Sequence, residues 1–246
     1  MEKPASPPGP VHTPLPVGGY VLAGGHSSRM GTDKALLQLA NKPLIQHSVA
    51  KLRKTCSDVH ILSTNMALAA YAPLVADIHP NCGPIGGMES ALTHSIFDWN
   101  ILLAVDMPYL PTPCIALSIR RWIESVDDGA RIRMFTAEGR PQPGFCLLHK
   151  DVLPFLSEAI NHGNLKLMRV FEEAGRELAQ RRGFPSDAGL WAMPVAGAQT
   201  TQGDTSAMDM GFVTDEQRAA EHLWFANLNT PADFENAEIY ADALDI

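Results

Sequence analysis

Cysteine is scarce in this sequence, and its cysteines form no recognisable site. Cys56, Cys82, Cys114 and Cys146 are widely spaced, without a CxxC pair and without a histidine at the spacing of zinc ligands. Zinc sites and disulfide frameworks use closer, paired cysteines. We therefore expect reduced thiols and a cytoplasmic protein.

Positive charge is also scarce. The chain has 19 lysine and arginine residues against 27 aspartate and glutamate residues, which gives a formal net charge of -8 at pH 7. Sequence-independent binding to nucleic acid needs a clustered basic surface, so nucleic acid is not an expected partner. A phosphate-bearing ligand has to be held by local cations and by metal.

Long hydrophobic runs are absent as well. The run "ILLAV" at residues 101–105 has only the length of a strand, so no membrane segment and no membrane partner are expected. Residues 1–16 are rich in proline and lack the apolar core of a signal peptide, which predicts a disordered tail. Residues 17–246 are then expected to form a single domain, with a loop insertion at about 183–211 where glycine and small residues are frequent.

Three common motifs are missing. A Walker loop requires GxxxxGK[ST], but Thr32 and Asp33 separate Gly31 from Lys34, and Ala35 follows the lysine. The string "GGHSSRMG" does not match the GxGxxG of dinucleotide-binding folds, and there is no nucleophile elbow. These absences exclude a P-loop NTPase and argue against a Rossmann oxidoreductase. They favour catalysis by positioning and charge, as in phosphoryl or nucleotidyl transfer.

One segment does concentrate glycine, hydroxyl and cationic side chains, namely "LAGGHSSRMGTDKALL" at residues 22–37. Gly24 and Gly25 let the backbone approach a ligand without a Cβ in the way. Arg29 and Lys34 add two cations, and a loop that enters a helix presents unpaired NH groups to an anion. The segment predicts a phosphate-binding loop.

Short apolar segments alternate with helical ones, which predicts an α/β fold. The predicted strands are "GGYVL", "DVHIL", "PLVADI", "NILLAV", "RIRMFT", "GFCLLH" and, last, "HLWFANL". The predicted helices contain "KPLIQHSVAKLRKT", "GGMESALTHSIF", "PTPCIALSIRRWIESV", "DVLPFLSEAI", "LKLMRVFEEAG" and "TPADFENAE". We expect a mostly parallel sheet with helices on both faces, in which ligands bind at the carboxyl ends of the strands.

Asp106 comes directly after the buried run "ILLAV" and begins the proline-bounded turn "DMPYLP". A carboxylate at this point suits Mg²⁺, which commonly binds one or two carboxylates together with substrate phosphates. It also suits a side chain that caps the turn. Because Asp106 is expected to face the Gly24 loop across the sheet, metal binding is favoured.

Asp77 ends another predicted strand, six residues before the glycine-rich "GPIGGMESAL". Gly83, Gly86 and Gly87 would let a nucleoside approach the backbone closely. The Asp77 carboxylate can accept hydrogen bonds from the NH groups of a purine or from a ribose hydroxyl. An ordinary strand-end aspartate is the alternative.

Asn227 and Asn229 alternate within the last predicted strand, so their side chains are expected on one face, where they suit a polar second substrate. Thr230 is predicted to cap the following helix, with Pro231 in its first turn.

Four motifs, in the order "LAGGHSSRMGTDKALL", "GPIGGMESAL", "DMPYLP" and "FANLNTP", resemble the molybdenum cofactor guanylyltransferases of the MobA-like nucleotidyltransferase class. The resemblance covers roughly residues 18–175 and the chain from residue 224 onward. It implies a Rossmann-like nucleotidyltransferase fold. It also implies transfer of GMP from GTP to the terminal phosphate of molybdenum-bound molybdopterin, with release of pyrophosphate.

The resemblance also implies roles for individual residues. Lys34, Asp106 and Arg29 would be catalytic, Asp106 would bind Mg²⁺, and Asn227 and Asn229 would face the molybdopterin. The nucleotide-binding residues implied are Leu22, Ala23, Gly24, Gly25, Lys34, Ser63, Asp77 and Asp106.

The implied partners are GTP and Mo-molybdopterin, and the family leaves room for transient contact with molybdoenzymes or cofactor-delivery proteins. One position departs from the family, which often has an asparagine where this chain has Ser63, with Asn65 two positions later. The choice between GTP and CTP therefore stays open. Two further alternatives are a sugar phosphate as acceptor and a non-catalytic protein that binds a nucleotide or cofactor.

Overall fold

The described part of the chain forms one seven-stranded sheet and a small two-stranded one. A computed structural model describes residues 14–24, 33–124, 127–194 and 213–245. The strands are β1 (Leu15–Leu22), β2 (Gln38–Leu39), β3 (Lys42–Pro43), β4 (Cys56–Leu62), β5 (Leu74–Val75), β6 (Trp99–Ala104), β7 (Ile132–Ala137), β8 (Arg140–His149) and β9 (Leu190–Pro194). The helices are α1 (Leu44–Arg53), α2 (Pro84–His94), α3 (Thr112–Glu124), α4 (Leu153–Asn161), α5 (Leu167–Arg181), α6 (Asp215–Ala219) and α7 (Pro231–Glu238).

The large sheet is mostly parallel. Its strand order is β5-β4-β1-β6-β8-β7-β9. Only β8 runs against its two neighbours, while the other pairs are parallel. This arrangement confirms the predicted fold class.

Two apolar layers cover the two faces of the sheet. In β1, Val17 and Val21 belong to the core beneath α1 and α3, whereas Tyr20 faces the core beneath α2, α4 and α5. Alternate residues of a strand point to opposite faces, so a strand buried on both sides reads as a continuous apolar run. The helices therefore lie on both faces, as predicted.

The register brings three strand ends to the same level. Leu22 at the end of β1 pairs with Leu62 of β4 on one side and with Ala104 of β6 on the other. The segments that follow these residues consequently leave the sheet at one edge. Their residues include several of the predicted site residues.

The predicted last strand, "HLWFANL", is wrong. Residues 221–223 form a 3₁₀ turn after α6, and the following segment runs to α7 without pairing in either sheet. Leu223, Trp224 and Leu228 are buried, and the Trp224 ring NH donates to the Gln217 carbonyl at 3.0 Å. The apolar side chains thus fill the core from a turn, and their alternation does not reflect a strand.

Two predicted boundaries also need correction. The tail predicted for residues 1–16 overlaps β1, because Leu15 already pairs with Cys56; residues 1–13 lie outside the described part. The loop predicted at about 183–211 contains β9, which pairs with β7 from Leu190 to Pro194. Small residues such as Ala192 fit a sheet edge as well as a loop, so composition alone misled the prediction.

All four cysteines are free, and Cys56, Cys114 and Cys146 are buried. Burial raises the pKa of the Cys56 thiol to about 12. Among the described residues, no helix combines the length and the apolar character needed to cross a bilayer.

Candidate active site

The predicted phosphate-binding loop begins where β1 ends. Leu22 and Ala23 are half-buried and Gly24 is exposed, so the backbone reaches the surface within three residues. The Leu22 carbonyl accepts a hydrogen bond from the Val105 NH at 3.1 Å, which ties the loop to the segment after β6. Gly25 and Arg29, both predicted site residues, lie outside the described part of the chain.

Lys34 lies at the other end of this loop, at the start of a 3₁₀ turn, Lys34–Leu36. Asp33 caps that turn, because its side chain accepts from the Ala35 NH at 2.9 Å. The Lys34 ammonium donates to Asp106 Oδ2 at 2.5 Å and to Asn229 Oδ1 at 2.6 Å. The lysine therefore joins two residues that are remote from it in sequence.

Asp106 follows β6 at the carboxyl edge of the sheet. Its side chain is 20% exposed and forms the ion pair with Lys34. Its backbone carbonyl accepts from the Leu228 NH at 3.1 Å. Asp106 thus has an ionic partner and also anchors the segment that leads to Asn229; in the described residues its carboxylate does not cap the turn.

The segment around Asn229 is held in a turn by Asp233. The backbone NH groups of Asn229 and Thr230 both donate to Asp233 Oδ2 at 2.7 Å, and these bonds lower the pKa of Asp233. Thr230 caps α7 in a reciprocal capping box with Asp233, which confirms its predicted structural role. Asn227 is exposed, and its carbonyl accepts from the Asn229 side chain at 3.3 Å.

Asn227 and Asn229 lie on the segment that leads to α7, and this segment does not form the predicted strand. Only Asn229 contacts Lys34, and its orientation comes from the turn before α7. The predicted strand is wrong, so strand alternation no longer supports a common face, and a shared role of the two asparagines stays a prediction.

Asp77 lies in the loop between β5 and α2. It is half-buried, and burial raises the pKa of its carboxyl group. A Cβ added to Gly87 would lie 3.1 Å from Leu22 Cδ2, 3.6 Å from Leu62 Cδ1 and 3.8 Å from Asp77 Oδ1. The absence of a Cβ at Gly87 therefore lets Leu22 pack closely against α2, with the Asp77 carboxylate beside it. No hydrogen bond or ion pair of this carboxylate is found among the described residues.

Ser63 and Asn65 connect the end of β4 to the phosphate loop. The Ser63 hydroxyl accepts from the Asn65 NH at 3.1 Å, and the Asn65 side chain donates to Asp33 Oδ2 at 2.6 Å. Asn65 Oδ1 in turn accepts from the Ala67 NH at 3.0 Å. Asn65 thus fixes the residue directly before Lys34.

The donor set at Asp106 suits a hard divalent cation. Within the described residues, no group of three or more histidine, cysteine or acidic side chains is arranged to hold a metal. Among the described residues, only Lys34 contacts the Asp106 carboxylate, and it contacts Oδ2. Mg²⁺ often binds through one or two carboxylates and takes its remaining ligands from phosphates and water. A single carboxylate beside a phosphate loop fits that pattern.

A family model described as the MobA-like NTP transferase domain matches residues 19–179. The chain belongs to this family. This result confirms the predicted family and its nucleotidyltransferase fold. The match contains Lys34, Asp77 and Asp106, but it ends before Asn229.

Relatives in the MobA-like family carry a consistent description. The molybdenum cofactor guanylyltransferase of Serratia proteamaculans is 33% identical over 164 residues, which cover 64% of this chain and 80% of the relative. The enzyme of the same name from Vibrio cholerae is 32% identical over 169 residues, which cover 67% of this chain and 81% of the relative. The crystal structure of molybdopterin-guanine dinucleotide biosynthesis protein A from Archaeoglobus fulgidus has a TM-score of 0.66 at 21% identity. It covers 92% of this chain and 99% of its own, and it shows the same fold.

Asn65, Asp33 and Asp233 were not among the predicted site residues of this MobA-like chain. In the sequence, Asn65 is marked only by its place two positions after Ser63, where the chain departs from the family. A polar residue beside a candidate is a weak signal, and nothing local indicates that Asn65 reaches Asp33, 32 positions away. Asp233 could have been recognised from the capping-box spacing, since it stands three residues after Thr230.

Proposed function

We propose that this protein transfers GMP from GTP to the terminal phosphate of molybdenum-bound molybdopterin and releases pyrophosphate. The family membership and the names of the relatives support a nucleotidyl transfer of this kind. The observation that carries the proposal is the Lys34–Asp106 pair at the carboxyl edge of the sheet, directly beside the phosphate loop.

The reaction needs no covalent intermediate with the protein. An oxygen of the acceptor phosphate attacks the α-phosphorus of GTP, and the bond from that phosphorus to the oxygen bridging the β-phosphate breaks. Pyrophosphate leaves with the electron pair of that bond. Catalysis then consists of alignment and of stabilising negative charge, which a lysine and a bound divalent cation supply.

Each described residue has a proposed part in this reaction. Lys34 exchanges its contacts with Asp106 and Asn229 for phosphate oxygens and neutralises the triphosphate. Asp106 would hold Mg²⁺, and the cation would supply further neutralisation of the negative charge there. The Leu22–Gly24 backbone lies against the nucleotide, and Asp77 accepts hydrogen bonds from the nucleoside. Ser63 lies next to that nucleoside site and offers it a hydroxyl.

The acceptor is proposed to lie on the Asn229 side of Lys34. Asn229 already contacts the lysine at 2.6 Å, so a molecule that binds there is next to the cation that faces the triphosphate. Asn227 is exposed on the same segment and extends the polar surface. Contact with molybdoenzymes or cofactor-delivery proteins, a location in the cytoplasm, and Arg29 and Gly25 as site residues stay predictions.

The test is a competition among nucleotides. The protein is incubated with Mo-molybdopterin, Mg²⁺ and equal concentrations of GTP, CTP and ATP, and the product is identified by mass spectrometry while pyrophosphate is measured. We expect the GMP adduct and an equimolar amount of pyrophosphate. A CMP adduct would favour the CTP alternative, and nucleotide binding without any adduct would favour a binding protein.

Asp106→Asn tests the proposed metal ligand in the same assay. The substitution keeps the shape of the side chain but removes its charge, so Mg²⁺-dependent turnover should fall by roughly 10²-fold or more, as when a preorganised electrostatic group is lost. Asp98→Asn is the matched control, since Asp98 is exposed just before the opposite end of β6. Near-normal turnover in Asp106→Asn would remove Asp106 from the metal site.

A further inference from the structure

Two consecutive side chains of α2, Glu89 and Ser90, form hydrogen bonds with the loop that carries Asp77. The Ser90 hydroxyl accepts from the Ile78 NH at 2.9 Å and donates to the Gly86 carbonyl at 2.8 Å. Glu89 Oε2 contacts His79 Nδ1 at 2.7 Å. The two residues that directly follow Asp77 are thus held by the helix.

Glu89 is a carboxylate in an apolar environment. Its side chain is 4% exposed, and α2 buries Ile85, Met88 and Leu92 on the same core. Burial of an ionised carboxylate is costly unless it is paired and hydrogen-bonded. Both oxygens of Glu89 have partners, because Ser157 of α4 donates to Oε1 at 2.6 Å. A buried group held from both sides is a rigid anchor for His79.

The anchor also brings the loop backbone close to α2. A Cβ added to Gly86 would lie 2.9 Å from the His79 carbonyl oxygen, so only glycine permits this approach. The next residue, Gly87, faces the Asp77 carboxylate. One helical turn therefore contacts both the His79 backbone and the Asp77 carboxylate.

Asp77 itself has no such support. No described residue donates to its carboxylate, so its position depends on the backbone of the residues that follow it. A half-buried carboxylate that has no partner among the described residues is suited to accept hydrogen bonds from a ligand. Discrimination between bases then requires that it be held still, because a misplaced acceptor forms weaker hydrogen bonds with the correct base.

We propose that His79 and Glu89 are positioning residues that hold Asp77 for the nucleoside and thereby determine the base preference of the site. This inference rests on the proposed function, since it assumes that a nucleotide binds beside Asp77. It adds residues that make no contact with the nucleotide. Ser157 of α4 donates a hydrogen bond to Glu89, and Glu89 contacts His79, so α4 also supports the loop.

Direct binding measurements test the inference without the acceptor. Calorimetry gives the dissociation constants of GTP, CTP and ATP, with Mg²⁺ present, for His79→Ala and His79→Asn. An asparagine amide nitrogen occupies about the position of Nδ1, so His79→Asn retains a donor to Glu89. His162→Ala is the matched control, because His162 is exposed and its Nδ1 contacts only the Glu158 carbonyl of α4 among the described residues.

We expect His79→Ala to weaken binding of the preferred nucleotide by roughly tenfold, the effect of a lost hydrogen bond to a charged group. Binding of the other nucleotides should change much less, so the preference shrinks. His79→Asn should restore most of the nucleotide preference, and His162→Ala should match the wild type. At saturating nucleotide, kcat should stay near the wild-type value while KM rises.

Three results would overturn the inference. The first is an unchanged preference in His79→Ala, and the second is equal weakening of all three nucleotides, which would indicate general damage to the loop. The third is a wild-type protein that binds no nucleotide, which would also overturn the proposed function. A protein that binds GTP but forms no adduct contradicts only the proposed function, and the binding data then still decide the role of His79.

Discussion

The Lys34 ammonium contacts both an acidic side chain and an amide side chain, and these two contacts define the candidate site before a nucleotide binds. Its ammonium contacts Asp106 at 2.5 Å and Asn229 at 2.6 Å. A triphosphate carries more negative charge than either partner, so the lysine should exchange these contacts for phosphate oxygens when the nucleotide binds. The same exchange would release the Asn229 side chain for the acceptor.

We predict that Lys34→Ala weakens GTP binding by roughly 10-fold to 100-fold, because a charge-assisted contact of this kind contributes about 1.5–3 kcal/mol. Turnover should fall as well, and the melting temperature should change less than when a fully buried ion pair is broken, since this pair is only partly buried. Calorimetry with GTP measures the effect, and Lys166→Ala, at an exposed position before α5, is the control. Unchanged affinity together with unchanged turnover would exclude Lys34 from the site.

The Asp77 carboxylate is expected to favour nucleotide binding and to lower the stability of the free protein. Burial raises its folded pKa above the unfolded value, so the folded state binds more protons in the pH window between the two values. Its charge therefore destabilises the free protein above that window, and the penalty disappears as the pH falls through it.

We predict that Asp77→Asn melts at the same or a higher temperature than the wild type at pH 7, whereas its preference for GTP falls. The stability difference between the two proteins should shrink on acidification toward pH 4, near the ordinary aspartate pKa of about 3.9. Melting curves across pH and nucleotide binding are the measurements. A variant that is clearly less stable at pH 7 would show that Asp77 has a structural partner.

Local sequence patterns select candidate site residues but do not predict their contacts. Lys34 and Asp106 could be selected because each stands at a strand or loop end with the right charge. The bond from Lys34 to Asn229 spans 195 positions, and only the packed fold brings the two together. Likewise, no sequence signal marks Glu89, since a glutamate within a helix is ordinarily exposed.

Among the secondary-structure elements, hydrophobic periodicity predicts the structure correctly where the pattern fits only one kind of element. In α1, Leu44, Ile45 and Leu52 are fully buried, as the predicted helical stripe requires. The run from His222 to Leu228 is short and apolar, and such a run fits a strand or a buried turn equally well. Tertiary packing of Trp224 decided the outcome there.

The edge strand β9 provides an element-level test, because composition had predicted a loop. Trp191 of β9 contacts the Trp122 ring at a centroid distance of 6.2 Å, and the Arg133 guanidinium lies 5.6 Å from the centre of the Trp191 ring. Residues 190–194 therefore belong to the sheet and not to the predicted loop.

We predict that Trp191→Ala destabilises the protein by about 1–3 kcal/mol, the range of a partly buried aromatic whose packing is lost. Urea unfolding gives the difference, and Ile96→Ala is the control, since Ile96 is 83% exposed. Ile96→Ala should stay within about 0.5 kcal/mol of the wild type. Equal stability of Trp191→Ala and the wild type would indicate that β9 contributes nothing to the sheet.

For the molecule as a whole, Asp245 links segments that are far apart in the chain. Its carboxylate forms an ion pair with Lys51 of α1 and accepts from the Thr112 NH at the start of α3 at 2.5 Å. Burial opposes ionisation of Asp245, but Lys51 and Thr112 outweigh it and lower the pKa of Asp245. Lys51 is buried, so this pair closes the helical face formed by α1 and α3.

We predict that Asp245→Ala lowers the free energy of unfolding by about 3–5 kcal/mol, because it leaves the Lys51 charge buried without its partner. The folded pKa of Asp245 lies below the unfolded value, so its contribution is present above pH 4, where an unfolded aspartate is ionised, and is lost as the pH falls through the folded pKa. The wild type and the variant should therefore converge in stability on acidification.

Asp242→Ala is the control, since Asp242 is exposed in the same segment. Urea unfolding at several pH values measures the stability of the wild type and of both variants. GTP affinity at pH 7 should be equal in all three folded proteins. The reason is that Asp245 lies on the helical face and makes no contact with Lys34, Asp77 or Asp106 among the described residues. A loss of GTP affinity in folded Asp245→Ala would mean that the packing of α1 and α3 controls the geometry of the site.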